Sequence, residues 1–387
     1  MNTRWLWLVP AVLATAGPTH AEPQVGREGR QWVDSAAGSI PAGPRVKVFT
    51  RGTISLHGEN RNDIAWTVKK RSRASGEIAA KVAFERIAVK AYRSGDWSVV
   101  YVNVPAELDA AADLQVRIPK KLQEVHAESQ VGRVEVFDLD GGLFANTGAG
   151  EVQVDRIQGW VKAGTGGGNV RIGRVAGILK AYSAGGSIFV DSVGGDAYLE
   201  TGGGEVVVRE AKGRVQATAS GGGNIRIDHA AQGAALSTGG GIIDVSRAGG
   251  LVRANTGAGS IKVRSAASVD LVSGSGQIQL QSVSGGMQAT TAMGAIIAEL
   301  GAGKQLRDSV LSTQAGDITV YIPSNVAVTV EAVNASPGGN RIVSDFAEVR
   351  PRLQGGNMRS EAQGSINGGG AILRLAAQGG TIYLRRR

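Results

Sequence analysis

The residues able to do chemistry are few and widely spaced. Beyond the first 24 positions there are three histidines, His57, His126 and His229. Imidazole binds a metal or moves a proton only with a second ligand or a carboxylate in reach. None of the three stands at metal-ligand spacing from another, so each reads as a lone surface or turn histidine, and no metal or cofactor is expected. The chain has no cysteine, which removes thiolate chemistry, disulfides and a lipid-bearing thiol. No G-x-S-x-G nucleophile turn falls between a strand and a helix. Carboxylates are scattered about one per repeat rather than paired as glycoside hydrolysis requires. The expectation is a protein that is not an enzyme.

Three binding chemistries remain. Calcium β-rolls use G-G-x-G-x-D repeats, but the turns here read Gly166-Gly167-Gly168-Asn169-Val170-Arg171 and Gly221-Gly222-Gly223-Asn224-Ile225-Arg226. Arg171 and Arg226 stand where the ligand Asp is needed, which argues against calcium. A regular row of hydroxyls, Thr147, Thr165, Ser183, Thr201, Ser220, Thr238, Thr256, Ser273 and Thr291, has the regularity of an ice-binding face. The row shares phase with inward Val and Ala and precedes glycine turns, so its hydroxyls are better placed to satisfy turn backbone. The third is a candidate ligand patch for a sugar or peptide, formed by Trp160, Tyr182 and Tyr198, against which stands the reading of isolated strand aromatics.

The elements that must position these residues follow from a repeat. The last glycine before each Val-rich stretch recurs at Gly132, Gly150, Gly168, Gly186, Gly204, Gly223, Gly241, Gly259, Gly276 and Gly294. Most steps are 18 residues, and Gly316 follows after a longer loop. A short fixed period sustained this long signifies a solenoid. Two and four residues after the marker the chain carries aliphatic pairs such as Val152/Val154, Val170/Ile172 and Ile188/Val190, and a second alternating stretch follows, as in Leu179-x-Ala181-x-Ser183. Alternation puts one face inward, so each coil is two short strands joined by Gly-rich turns that φ > 0 would suit. The fold class is therefore all-β: a parallel β-solenoid of about ten 18-residue coils, right-handed by the general rule for parallel connections. Ala at inner positions implies a narrow core. Exposed rows mix charges, as in Asp191–Arg209–Asp228, which suits salt bridges between coils and not a basic stripe for nucleic acid.

At the start, Arg4 precedes an apolar run, Trp5–Ala16, and a small-residue site at Thr19 and Ala21. This reads as a signal peptide, residues 1–21; the run is shorter than a membrane span and Pro10 and Pro18 interrupt it. No later segment is apolar enough to span. Removing the signal takes Arg4 and leaves a net charge of +8, a bias towards anionic envelope surfaces. Residues 22–44 read as a flexible lead, 45–122 as an N-terminal β cap, 123–323 as the solenoid and 324–387 as a C-terminal β cap. Caps are needed because open solenoid ends template aggregation.

With the repeat in hand, the chain resembles the bacterial putative-adhesin β-strand-repeat family, a domain of unknown function. The resemblance rests on Leu114-Gln-Val-Arg-Ile-Pro119 leading into Val125–Gly132, the recurrent T-G-x-G-x-[VI]-x-[VI] coils, Arg341-Ile-Val-Ser-Asp-Phe346, and Gly364-Ser-Ile-Asn-Gly-Gly-Gly370 with Gly380-Thr-Ile-Tyr-Leu384. It covers roughly residues 45–387. It implies an exported, non-catalytic envelope protein, and it carries over no catalytic residues. The periplasm is the expected endpoint, with the cell surface or secretion as alternatives. The reading is an adhesin-like binding or interaction module whose partner is an envelope polymer or envelope protein. The alternative is a structural or envelope-stress accessory acting through a membrane partner; a polysaccharide-active β-helix enzyme ranks below both.

Overall fold

The computed structural model describes residues 25–301, 306–336, 341–354 and 359–387. The expected signal peptide, residues 1–21, lies outside them. From Glu124 to Ile322 the chain winds through eleven successive coils, each giving one strand to a back sheet and one to a front sheet. Thus Val161–Thr165 (back) leads to Val170–Val175 (front), and Leu179–Ser183 (back) to Ile188–Val193 (front). Strands in each sheet pair in parallel with matching positions aligned: Val152, Val170 and Ile188 in front, Val161, Leu179 and Ala197 behind.

This register converts the sequence period into a core. Val152, Val170, Ile188, Val206, Ile225 and Ile243 stack as one fully buried aliphatic ladder. Each such side chain contributes about 1.5–3 kcal/mol by leaving water. One inner row of the back sheet carries small residues at Ala163, Ala181, Ala217 and Ala254, interspersed with the buried Leu199, Leu236 and Leu271.

The marker glycines have a different cause from the one their turn position suggests. Among the described glycines of the coils, Gly222, Gly233 and Gly316 have positive φ. What the markers share is stacking: a Cβ on Gly168 would collide with the carbonyl of Gly150, one on Gly186 with that of Gly168, and one on Gly204 with that of Gly186. Successive turns rest backbone on backbone, and close approach is the constraint.

The hydroxyl row lies inside, at the end of each back strand. Ser183 Oγ donates to Gly168 O at 2.8 Å and accepts from Gly186 N at 2.8 Å, and Thr256 does the same between Gly241 O (2.9 Å) and Gly259 N (3.1 Å). Ser220 is the exception and corrects the expected row. Its coil is one residue longer, so Ala219 pairs with Thr201 and Thr238 and takes the inner position, while Ser220 is exposed.

Both ends of the stack are interleaved. The strands Arg45–Thr50 and Ile54–Glu59 form the first coil of the chain, yet they pair with Glu124–Ser129 and Val134–Leu139 on one side and with Trp97–Asn103 and Ala110–Pro119 on the other. At the opposite end, Ile372–Ala377 and Ile382–Arg386 insert between the coil of Ser309–Ala315 and Ile318–Ile322 and the strands Val328–Asn334 and Ile342–Ser344. Antiparallel strands finish the stack. Asp63–Ser72 covers Ala110–Pro119, and Arg359–Ile366 covers Val328–Asn334.

Two expectations change here. Within the described part of the expected flexible lead, Gly26–Glu28 and Gln31–Pro41 are strands, and ten residues from Trp32 to Pro41 pair with Asp63–Ser72. Asp34 there is buried and bonded to Lys70 at 3.2 Å, which gives the segment a fixed place. The N-terminal region also holds a helix, Glu77–Glu85, built of good helix formers with a Glu77–Lys81 pair at i, i+4 and Ala80 and Phe84 buried.

Candidate binding surface

The strand alternation that buries Val161, Ala163 and Thr165 turns Lys162 and Gly164 outward, and the parallel register aligns these outer residues into rows. Along the outer face of the back sheet one row runs His126, Phe144, Lys162, Lys180, Tyr198. Beside it runs a second: Asn146, Gly164, Tyr182, Glu200. Trp160 stands at the head of the strand carrying Lys162, its indole lying over Gly142 of the neighbouring strand, where any Cβ would collide with the ring.

The structure therefore puts Trp160, Tyr182 and Tyr198 on one outer face within three successive coils, exposed by 41%, 48% and 41%. Of the three, Tyr198 has a lysine beside it, with Lys180 Nζ 5.6 Å from its ring centroid, and in the same row Lys162 Nζ lies 5.5 Å from the ring centroid of Phe144. His126 continues the row, 5.2 Å from Phe144 and 4.8 Å from Trp97 between ring centroids, with Nε2 bonded to Glu124 at 2.7 Å. Sequence reasoning singled out the three aromatics and missed Phe144, Lys162 and Lys180. The signal was present, since the two lysines stand one full period apart at the same phase.

A second concave feature lies on the front sheet, where each strand bends. The Asp155 carboxylate accepts from the amides of Arg156 and Arg174, each at 2.8 Å, in place of regular ladder partners. The bend leaves two adjoining shallow depressions of about 650 and 590 Å³ that share His229 and are lined by Asp191, Arg209, Arg247 and Arg264. Several of their charges are paired, Arg264 with Asp244 at 3.1 Å among them. Arg209 pairs with Asp191 at 3.0 Å, while Asp228 is taken by Arg226 of its own strand at 3.1 Å, so the expected three-coil charge row closes only in part.

At the head of the same bend Arg156 makes a bidentate pair with Asp138 of the preceding coil, at 2.8 and 2.7 Å. The Arg156 hydrogen bonds hold the Asp138 carboxyl below its ordinary range, and the same bonds raise the Arg156 guanidinium. His57 stacks on Phe137, 5.0 Å between centroids. Asn169 and Asn224, in the turns weighed for calcium, accept from the amides of Ser187 and Ile242 at 2.8 Å, joining one turn to the next. Among the described residues, no three His, Asp or Glu side chains gather as a metal-ligand group, and no helix is long and apolar enough to cross a membrane.

No family model matches the chain, and no curated protein matches it in sequence. Solved structures similar to it include a putative cell adhesion protein from Clostridium sporogenes, at 9% identity over 91% of this chain and 100% of that one, with a TM-score of 0.15. A putative lipid binding protein from Parabacteroides distasonis matches at 11% identity over 74% and 96%, with a TM-score of 0.27. A putative adhesin from Bacteroides fragilis matches at 14% over 74% and 95%, with a TM-score of 0.21. Identities and TM-scores of this size transfer no ligand, which leaves the chain's own surface chemistry as the guide.

Proposed function

We propose that this protein is an exported, non-catalytic, adhesin-like module of the bacterial envelope that binds an extended polymer across an outer sheet face. The observation that carries the proposal is the exposure of Trp160, Tyr182 and Tyr198 on one open face of three successive coils. Flat rings offered at the spacing of strands suit a ligand laid along the solenoid axis, and an open face suits binding without turnover. Asp191 is held by Arg209 and Asp155 by the bend, while His126, expected to stand alone, is bonded to Glu124 and packed between Trp97 and Phe144. The basic excess favours an anionic partner at the envelope. The test is retention of the purified protein on a panel of envelope glycans, lipid vesicles and whole cells at low and physiological salt. Retention on one polymer that survives physiological salt is the expected result. Retention lost with salt reduces the interaction to diffuse charge attraction and overturns the reading.

A further inference from the structure

Charges on both sheets of this molecule show a recurrent cross-coil pattern, with exceptions such as Arg226, which pairs within its own strand. A basic side chain on one coil meets a carboxylate on the next: Arg156 with Asp138, Arg209 with Asp191, Arg253 with Asp270, Arg374 with Glu331 and Lys47 with Glu128, at 2.7–3.2 Å. Lys162 and Lys180 depart from it. They face each other directly across neighbouring parallel strands, and among the described residues neither forms an ion pair within 4.0 Å. Two ammonium groups on facing positions repel, and among the described residues the contacts that offset this are the rings that flank them, Phe144 on one side and Tyr198 on the other. The nearest acids in the adjoining rows serve elsewhere or stand further along. Asp196 accepts from the Arg214 amide at 2.8 Å, and Glu200 lies opposite Tyr182.

The space beside the lysines is open. Gly164 separates Asn146 from Tyr182 in the second row and puts no side chain there, and Asn146 Oδ1 reaches to 2.9 Å from where a Gly164 Cβ would sit. An exposed amide, two cations without an ion pair among the described residues and exposed rings thus border the gap left at Gly164. Rings stack on the apolar faces of sugars, an amide bonds hydroxyls, and lysines take acid groups. A nucleic acid is less well served: beyond Tyr198 the same row continues as Gln216 and Ala235, so no basic track follows a phosphate backbone.

We propose that Lys162 and Lys180, framed by Phe144, Trp160, Tyr182 and Tyr198, form the binding site for an acidic polysaccharide lying along the back sheet. This rests on the polymer-binding reading above and names its ligand class. Titrations of the whole protein with polygalacturonate, neutral dextran and poly(dT) at physiological ionic strength test it. Polygalacturonate is expected to bind, and dextran to bind at least about tenfold more weakly. The Lys162→Gln/Lys180→Gln double variant is expected to lose about tenfold or more in affinity, the scale of a charged hydrogen bond. Lys262→Gln on the front sheet should leave binding unchanged. Because the lysines are exposed and repel, each single variant should melt no lower than the parent, which separates lost binding from lost fold. Dextran bound as well as polygalacturonate, with the lysine variants unaffected, overturns this site and leaves polymer binding standing. No polysaccharide bound overturns both. Poly(dT) held as tightly as polygalacturonate and released by the same variants overturns the ligand class in favour of a general polyanion site.

Discussion

The Thr201 hydroxyl donates to the carbonyl of Gly186 at 2.7 Å and accepts from the amide of Gly204 at 3.1 Å. Gly186 and Gly204 are the stacked turn glycines of successive coils, so one buried hydroxyl ties a turn to the turn beneath it. Both groups are part-buried, and without the hydroxyl each would lose the side-chain partner it has there. Thr201→Val keeps the shape and removes both bonds. It is expected to cost about 1–3 kcal/mol, the penalty for stranding buried polar groups, read by denaturant unfolding. Ser220→Ala, on an exposed side chain that the sequence placed in the same row, should be near neutral. Equal effects at the two positions would refute the role assigned to the ladder.

Adjacent glycines of one turn should respond in opposite ways. A Cβ on Gly167 meets nothing within 4 Å, whereas one on Gly168 strikes the Gly150 carbonyl and the Glu151 amide. Gly167→Ala is expected to change stability by no more than about 0.5 kcal/mol. Gly168→Ala forces two stacked turns apart and is expected to cost at least about 1–3 kcal/mol, as overpacking does. Thermal melts of the two variants side by side provide the measurement.

The coils were legible because identical positions stack. Once Val152, Val170 and Ile188 recur at one phase, strand type, burial and parallel register all follow. What escaped the sequence is whatever depends on non-sequential pairing. The first coil lies second in the stack because Ile54 pairs with Val134 and Leu114, both far along the chain, and no period announces that. Residues 26–41 looked like a lead because their low aliphatic content resembles a linker, and their strand character is imposed by Asp63–Ser72. The patch was half legible: the aromatics stood out by type, while Lys162 and Lys180 were hidden among ordinary surface charges until the register set them face to face. The one-residue slip at Ser220 came from counting across a 19-residue coil.

The Asp138–Arg156 pair links two coils at the bend and should make stability depend on pH. Arg156 holds the Asp138 carboxyl below its ordinary value. A depressed carboxyl contributes stability above its unfolded pKa, near 3.9, and that contribution is lost as pH falls through the folded value. Asp138 has φ 65°, a conformation that Asn also accepts, so Asp138→Asn removes the charge without new backbone strain. The variant should melt below the parent at pH 7, and the gap should close below about pH 3.9. A gap that persists unchanged at pH 2.5 would assign the loss to packing rather than to the ion pair.

The C-terminal coil is where interleaving has its largest consequence. Repeat arrays ordinarily fray from the last repeat inward, because each repeat is held by its neighbours alone. Here the last residues of the chain are not the last layer. Ile382–Arg386 pairs with Ile318–Ile322 on one side and Ile342–Ser344 on the other, and Ile372–Ala377 likewise separates Ser309–Ala315 from Val328–Asn334. Leu375, Ile382 and Leu384 are essentially fully buried there. Removing residues 371–387 therefore takes out an inner layer, and the strands Val328–Asn334 and Ile342–Ser344 lose their parallel partners although their own sequence is untouched. Hydrogen exchange read by peptide mass should show fast exchange across residues 328–334 and 342–344 in the truncated protein, with residues 188–193 protected as in the parent. Leu384→Ala tests the same layer more gently and is expected to cost about 2–5 kcal/mol, as a buried leucine does. If residues 328–334 keep their protection after truncation, the outer layer closes directly onto Ser309–Ala315, and the inserted coil is not what holds the end of the stack.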